Sequence, residues 1–161
     1  MEIINGDLLQ SQCYYIAHQV NCMGKMNSGV AKQIRETYPH VFEAYCDFIK
    51  DNEDLFPGKE MLGQVLVAYG DLKHEIINVF GQYSYGYDGH QYTNYEALKK
   101  GFTTAIEDIR SSEHIPWDIQ IPIAIPFNIG CCRGGGDWNI VKQILEQIEK
   151  EENALFLAYK L

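Results

Sequence analysis

Asn21–Gly29 reads NCMGKMNSG and Asn128–Trp138 reads NIGCCRGGGDW; each is a glycine-bearing loop between an apolar stretch and a segment of helical period. Glycine has no Cβ, so backbone N–H groups in such loops can converge on an anion, and the helix that follows adds the positive end of its dipole. Two such loops imply a ligand with more than one phosphate or phosphate-like group. Neither contains the lysine and hydroxyl of GxxxxGK[ST] and neither spells GxGxxG, so the common nucleotide motifs are absent. The anion is expected to be held mainly by backbone.

Outward from the loops, apolar runs bounded by turn residues alternate with helical periods, which is an α/β pattern. Strands are expected at Met1–Asn5, Tyr14–Asn21, Gln64–Tyr69, Glu75–Phe80, Ile119–Ile125 and Ala154–Tyr159, the third and fourth joined as a hairpin through Gly70–Lys73. About six strands is a usual sheet size. Ile121, Ile123 and Ile125 share one face, whereas Pro122 and Pro126 point to an edge strand or a strand end. Helices are expected at Ser28–Tyr38, Pro39–Lys50, Asn94–Ser111 and Asp137–Glu151. In the last, Ile140, Ile144, Leu145 and Ile148 form an apolar stripe opposite Lys142, Gln143, Glu146 and Lys150. Helices separated by strands are expected to cover both faces of the sheet.

The 161 residues fit a single domain, residues 1–161. Lys and Arg number 13 against 22 Asp and Glu, a net charge of -9, so most of the surface repels nucleic acid. A small anionic ligand is still accommodated, because loop N–H groups act at contact while remote carboxylates are screened over roughly 8 Å at physiological salt. The five cysteines (Cys13, Cys22, Cys46, Cys131, Cys132) show no CxxC spacing and no early apolar segment reads as a signal peptide. A reduced, cytoplasmic setting is expected. The histidines show no metal-ligand spacing, so no metal or other cofactor is expected. The longest apolar stretch, Ile121–Ile129, is too short to span a bilayer. Gly81–Tyr92 (GQYSYGYDGHQY) joins glycine and tyrosine directly after a buried strand, and reads either as a cover for a ligand or as an aromatic turn packed on the adjacent helix.

The ordered segments His18-Gln19-Val20-Asn21-Cys22, Gly29-Val30-Ala31, Tyr38-Pro39 and Ile129-Gly130-Cys131, with a last strand ending in Tyr159-Lys160-Leu161, resemble the macrodomain family of ADP-ribose-binding proteins. Within it the chain is most similar to the small branch of terminal ADP-ribose protein glycohydrolases and ADP-ribose-1''-phosphate phosphatases, with their bacterial and phage relatives. The resemblance covers nearly the whole chain. It implies a three-layer α/β/α sandwich with a mixed sheet and ADP-ribose in a cleft at the strand ends, where open α/β sheets generally bind ligands. It also implies site residues. Asp7, flanked by Gly6 and Leu8, matches the acid that accepts a hydrogen bond from the adenine amino group, and Tyr159 matches an aromatic beside the adenine. Asn21 falls near the distal ribose; Gly24, Asn27, Ser28, Gly29 and Val30 belong to the first loop. Asn128, Gly130, Cys131, Cys132, Arg133, Gly134, Gly135 and Gly136 wrap the diphosphate and distal ribose. Each residue also has a plain structural reading: Asp7 and Asp137 as helix or turn caps, Arg133 as a solvated side chain, Tyr159 as strand packing and His18 as a hydrogen-bonded core histidine.

The chain departs from the family pattern at three places. Asn27 stands where glycine is usual. The lysine that the terminal glycohydrolases carry after the fourth strand is replaced by Gln82-Tyr83-Ser84, and the acid of their second loop by Gly134. A lysine-adduct mechanism is therefore not expected, and Asp137 is the one carboxylate of that loop. The resemblance implies a protein that binds ADP-ribose and hydrolyses an ADP-ribosyl derivative at the distal ribose, with Asn21 and Asp137 as catalytic residues. The derivative is ADP-ribose-1''-phosphate or an ADP-ribosylated protein or nucleic acid, with no membrane partner. The alternative is a non-catalytic ADP-ribose-binding module.

Overall fold

The computed structural model describes residues 1–161. The strands are β1 (Glu2–Asn5), β2 (Tyr15–Val20), β3 (Val65–Tyr69), β4 (Glu75–Phe80), β5 (Ile121–Pro126) and β6 (Ala154–Lys160). The helices are α1 (Gly29–Thr37), α2 (Pro39–Asp51), α3 (Tyr95–Ser112) and α4 (Trp138–Glu152). They form one six-stranded sheet in the order β1-β6-β5-β2-β4-β3, parallel except for the antiparallel β3–β4 hairpin. The sheet is thus mixed, as expected. Strand and helix ends differ from the sequence reading by one or two residues.

Each central strand is apolar on both faces, so each face needs a helical cover. On one face Ala17, Ile77, Ile123 and Phe156 pack under Leu98, Phe102, Ala105, Val141 and Leu145 of α3 and α4. On the other, Ile16, Ile76 and Ala124 meet Ile34 of α1, Val41 of α2 and Tyr38 between them, and Tyr45 stacks on Phe80. Local signals set the helix ends. Asn94 accepts from the Ala97 N–H to open α3, and Pro39 stands in the first turn of α2, where its missing N–H has no partner to lose. Asn153, at φ 49°, closes α4 in the left-handed region. No helix is long and apolar enough to cross a membrane.

The two prolines of β5 do not mark an edge. β5 lies inside the sheet, between β6 and β2, so of the two expected alternatives the edge is corrected, whereas the strand end holds for Pro126, the last residue of β5. The physical reason is the direction of its amides. Ile121 and Phe127 donate to Asn153 and Tyr159 on the β6 side, so by alternation the positions of Pro122 and Pro126 face β2. There the ladder consists of only two pairs, Tyr15 with Ile123 and Ile16 with Ala124. Each proline falls just outside it, and no ladder bond is lost. β2 instead pairs with β4 over six residues. Beyond Ala124, β2 and β5 are no longer paired, and that opening positions the site.

Candidate functional site

The opening is a cavity of about 290 Å³. His18–Asn21, the end of β2, lie at its floor. Lys25 and Asn27–Ala31 supply one wall, Asn128–Gly130 and Cys132–Gly134 the other, and Tyr85–Tyr87 its mouth. The charged residues of the lining are Lys25 and Arg133, with no Asp or Glu among its 21 residues, in a chain that carries 22 carboxylate side chains. The local field therefore opposes the net charge and favours an anion.

The first loop is shaped by Asn21. Its Oδ1 accepts from the Met23 N–H at 2.9 Å and its Nδ2 donates to the Lys25 carbonyl at 2.9 Å. Tyr45 on α2 holds its hydroxyl 2.6 Å from the Asn21 carbonyl oxygen and 2.8 Å from Oδ1. Burial keeps that phenol far above its ordinary titration range, so it stays a donor. Asn21 thus folds the loop as an Asx turn and keeps one amide hydrogen free for a ligand. Asn27 accepts from Arg35 at 3.0 Å and is not among the residues with positive φ, which is why asparagine replaces glycine there without strain. The loop's left-handed positions are Gly24 and Gly29. A Cβ built on Gly29 meets nothing within 4 Å, so the space it faces is open.

The second loop is bound to the tyrosine loop that follows β4. Tyr92 and Thr93 donate their N–H groups to the Gly134 carbonyl, and Thr93 donates its hydroxyl to the Gly130 carbonyl at 2.6 Å. Gly134 has no room for a side chain. A Cβ there would lie 2.3 Å from Thr93 Oγ1 and 2.6 Å from the Gly130 carbonyl, so the acid of the family pattern is sterically excluded. The tyrosine loop is pinned by Asp88, which accepts from the Tyr92 hydroxyl at 2.9 Å and pairs with His90 at 2.8 Å. The His90 contact leads the causes that hold the Asp88 carboxyl at about 2. Tyr85 and Tyr87, 46% and 78% exposed, stand at the cavity mouth.

His18 is buried and neutral. Its Nε2 lies 2.7 Å from Asn78 Oδ1, and burial brings its pKa down to about 4. In the second loop, burial pushes the Cys131 thiol up to about 11, so it is not a nucleophile at neutral pH.

A smaller cavity of about 140 Å³ adjoins the first, with Val30 lining both. It gathers Gly6, Asp7, Leu8, Phe127, Tyr159 and Lys160. Asp7 caps the short turn Leu8–Gln10 by accepting from the Leu9 N–H; one carboxylate oxygen is enough for that and the other is free. Lys160 holds its ammonium 4.9 Å from the centre of the Phe127 ring.

The structure thus brings Asn21, Asn27, Ser28, Gly29, Val30, Asn128, Gly130, Cys132, Arg133 and Gly134 into one cavity, and Gly6, Asp7, Leu8, Val30 and Tyr159 into its neighbour. Gly24, Cys131, Gly135, Gly136 and Asp137 line neither. Asp137 caps α4: its Oδ1 accepts from the Asn139 N–H at 2.8 Å and its own N–H donates to the Tyr95 hydroxyl. Sequence reasoning did not single out Gln19, Lys25 or Phe127. Lys25 stood inside the quoted loop and Gln19 inside the quoted segment His18–Cys22, neither with a site role, whereas nothing in residue type marks Phe127.

The class of protein defined here is a three-layer α/β/α domain with an anion-favouring cleft at the open ends of its parallel strands. The Macro domain model matches residues 17–145, and the chain belongs to that family. It is 42% identical over 49 residues to the DNA ADP-ribosyl glycohydrolase of Mycobacterium tuberculosis, a match that covers 30% of this chain and 14% of that protein. The chain spans well under two thirds of the length of this curated relative. Among solved structures it resembles the macrodomain of Mycobacterium tuberculosis DarG, with TM-score 0.76, 25% identity and coverage of 99% of this chain and 97% of that one. It also resembles a protein of unknown function from Bacteroides thetaiotaomicron, with TM-score 0.78, 22% identity and coverage of 99% and 97%. Thermosipho africanus DarTG, solved in complex with ADP-ribose, gives TM-score 0.73 at 16% identity, over 98% of this chain and 41% of that one.

Proposed function

We propose that this chain binds ADP-ribose and hydrolyses an ADP-ribosyl derivative at the distal ribose. The observation that carries the reading is the carboxylate-free cavity, walled by two glycine loops and joined through Val30 to a second cavity holding Asp7 and Tyr159. Adenine would sit in the smaller cavity, with Asp7 accepting from its amino group and Tyr159 and Phe127 against its faces. The diphosphate would span the two loops, whose backbone N–H groups and flanking Lys25 and Arg133 offset its charge. The distal ribose then lies at the open end of β2, within reach of the free Asn21 amide hydrogen.

For the reaction, a water oxygen bonds to the distal C1'' or to the phosphorus attached there. The bond to the departing oxygen or nitrogen breaks, and the water proton passes to a base or to the leaving group. Asp137 is the proposed base. To act, its carboxylate must exchange the Asn139 N–H for water at the end of the second loop. Candidate substrates are ADP-ribose-1''-phosphate and ADP-ribosylated protein or nucleic acid; the name of the mycobacterial relative supports the last. The free thiols support a reducing, cytoplasmic setting. One observation favours a second reading, a binding module without turnover: no Asp or Glu lines the cavity.

Calorimetry with ADP-ribose tests the binding. Incubation with ADP-ribose-1''-phosphate, ADP-ribosylated protein and ADP-ribosylated single-stranded DNA, followed by assay of phosphate and free ADP-ribose, separates the two readings. Binding without release from any of the three leaves the module; no heat with millimolar ADP-ribose removes both.

A further inference from the structure

The tyrosine loop after β4 has two sides, and only one of them faces the cavity described above. Gln82 and Tyr85–Tyr87 line that cavity. Tyr83, Ser84, Gln91 and Tyr92 line instead a separate groove of about 550 Å³, completed by Lys59, Leu62 and the start of α3, and the two share no lining residue. Its volume falls within the roughly 300–1,000 Å³ of small-ligand sites.

Three aromatic residues of its wall, Tyr83, Tyr92 and Tyr95, are tied down in advance. The Tyr83 carbonyl accepts from the Cys22 N–H, the Tyr92 hydroxyl donates to Asp88, and the Tyr95 hydroxyl accepts from the Asp137 N–H, each at 2.9 Å. Rings held in this way lose little freedom when a flat ligand stacks on them. Two amide side chains of the groove are half spent. Asn94 uses its oxygen on the Ala97 N–H, and Gln91 uses its nitrogen on the Thr93 carbonyl. The Asn94 amide is left as a donor and the Gln91 oxygen as an acceptor. Lys59 is the one cation of the lining and Glu96 the one carboxylate. The Lys59 ammonium stands 5.7 Å from the centre of the Tyr83 ring and pairs with no carboxylate.

A nucleobase uses this set in full: its flat face suits tyrosine, and its edge carries both donors and acceptors for Gln91 and Asn94. It places no charge against Glu96, and only its phosphate needs Lys59. A single cation serves a single phosphate, which is also the short footprint that a net charge of -9 tolerates. We propose that this groove is a second binding site, separate from the ADP-ribose cavity, that takes one nucleotide of a single-stranded nucleic acid with its base on the tyrosines and its phosphate at Lys59.

The test is a heteronuclear NMR titration of the full chain with a short unmodified oligothymidylate at several salt concentrations. The amides of Tyr83, Ser84 and Asn94 are expected to shift and those of Asn21–Gly29 to stay, with affinity unchanged by added ADP-ribose. Tyr83→Ala is expected to weaken binding at least about fivefold, the low end for one stacked base, and Tyr83→Phe to hold it within about twofold. Lys59→Gln, a change at an exposed side chain, is expected to flatten the log–log salt slope from about −0.7, the value for one phosphate, to near zero. No shifts at millimolar oligonucleotide overturn the proposal, as does unchanged affinity in Tyr83→Ala. Shifts confined to Asn21–Gly29, or displacement by ADP-ribose, put the strand in the main cavity and also overturn it; a slope several times steeper means a polyanion spread over the surface and does the same. If Tyr83→Ala does not fold, Lys59→Gln and the pattern of shifted amides decide. That pattern does not depend on ADP-ribose binding, so failure here leaves the ADP-ribose reading standing.

Discussion

Arg133 holds its guanidinium 4.7 Å from the centre of the Tyr87 ring, so the second glycine loop and the tyrosine loop meet across the mouth of the cavity. With the Thr93 bonds to Gly130 and Tyr92 to Gly134, this stack makes the two loops one wall. A cation held over the ring at the rim is ready for a phosphate with less further ordering of its side chain.

Arg133→Ala is accordingly expected to weaken ADP-ribose binding by about tenfold, near the low end for a charge-assisted bond because the side chain is exposed. Arg133→Lys is expected to recover little, since an ammonium neither stacks flat nor forms a bidentate pair. Calorimetry at two salt concentrations checks both points; a parent-like affinity for Arg133→Ala removes the residue from the diphosphate subsite.

The glycines separate by what surrounds them. Gly29 sits at φ 59° with no protein atom within 4 Å of a built Cβ, whereas a Cβ on Gly134 collides with Thr93. Gly29→Ala should fold, with a penalty of about 1–2 kcal/mol for the left-handed backbone, yet lose ADP-ribose binding because the methyl enters ligand space. Gly134→Asp, which restores the family's acid by type, should lower the melting temperature and bring no turnover. A gain of hydrolysis in Gly134→Asp would show that the loop yields where packing says it does not.

The alternation of strands and helices was legible in the sequence because it rests on period alone: the β3–β4 hairpin forms as its spacing implies, and of the stripe expected on α4, Leu145 and Ile148 are buried while Ile140 is exposed and Val141 takes the buried place in that turn. The placement of β5 was not. A proline reports only that one amide is missing, and which neighbour that amide would have faced depends on β6, paired from distant sequence. In the site, glycines and asparagines of the two loops stood out by residue type. Gln19 did not, because its meaning comes from Gln82 and Thr93, 63 and 74 residues away.

Asp137 is the residue on which binding and turnover should part. Its carboxylate caps α4, so Asp137→Ala is expected to cost about 1 kcal/mol of stability, or roughly 2–4 °C in Tm, while ADP-ribose affinity stays within about twofold. Asp137→Asn keeps the cap but cannot take a proton. If it cuts hydrolysis by about 10²–10⁴-fold, the carboxylate is the base; unchanged hydrolysis leaves Asp137 as a cap alone.

Acid stability is the last expectation, and it turns on His18. The ring titrates near 6.5 when unfolded and at about 4 in the fold, because burial disfavours its charged form and the single bond to Asn78 only partly offsets this. Between those values the unfolded chain binds a proton that the folded one does not. The contribution of His18 is therefore fully present above pH 6.5 and is lost as pH falls from 6.5 towards 4, by about 2–3 kcal/mol at pH 4.5. Glu75 and Glu152, whose carboxyls burial raises, act in the opposite sense over the lower part of that range. The clean measurement is therefore a difference: urea unfolding of the parent and of His18→Phe at pH 7 and at pH 4.5. The parent should lose about 2–3 kcal/mol more than the variant between the two, whatever the variant's own stability at pH 7. Equal losses would mean that the ring takes up its proton in the folded state at an ordinary pH.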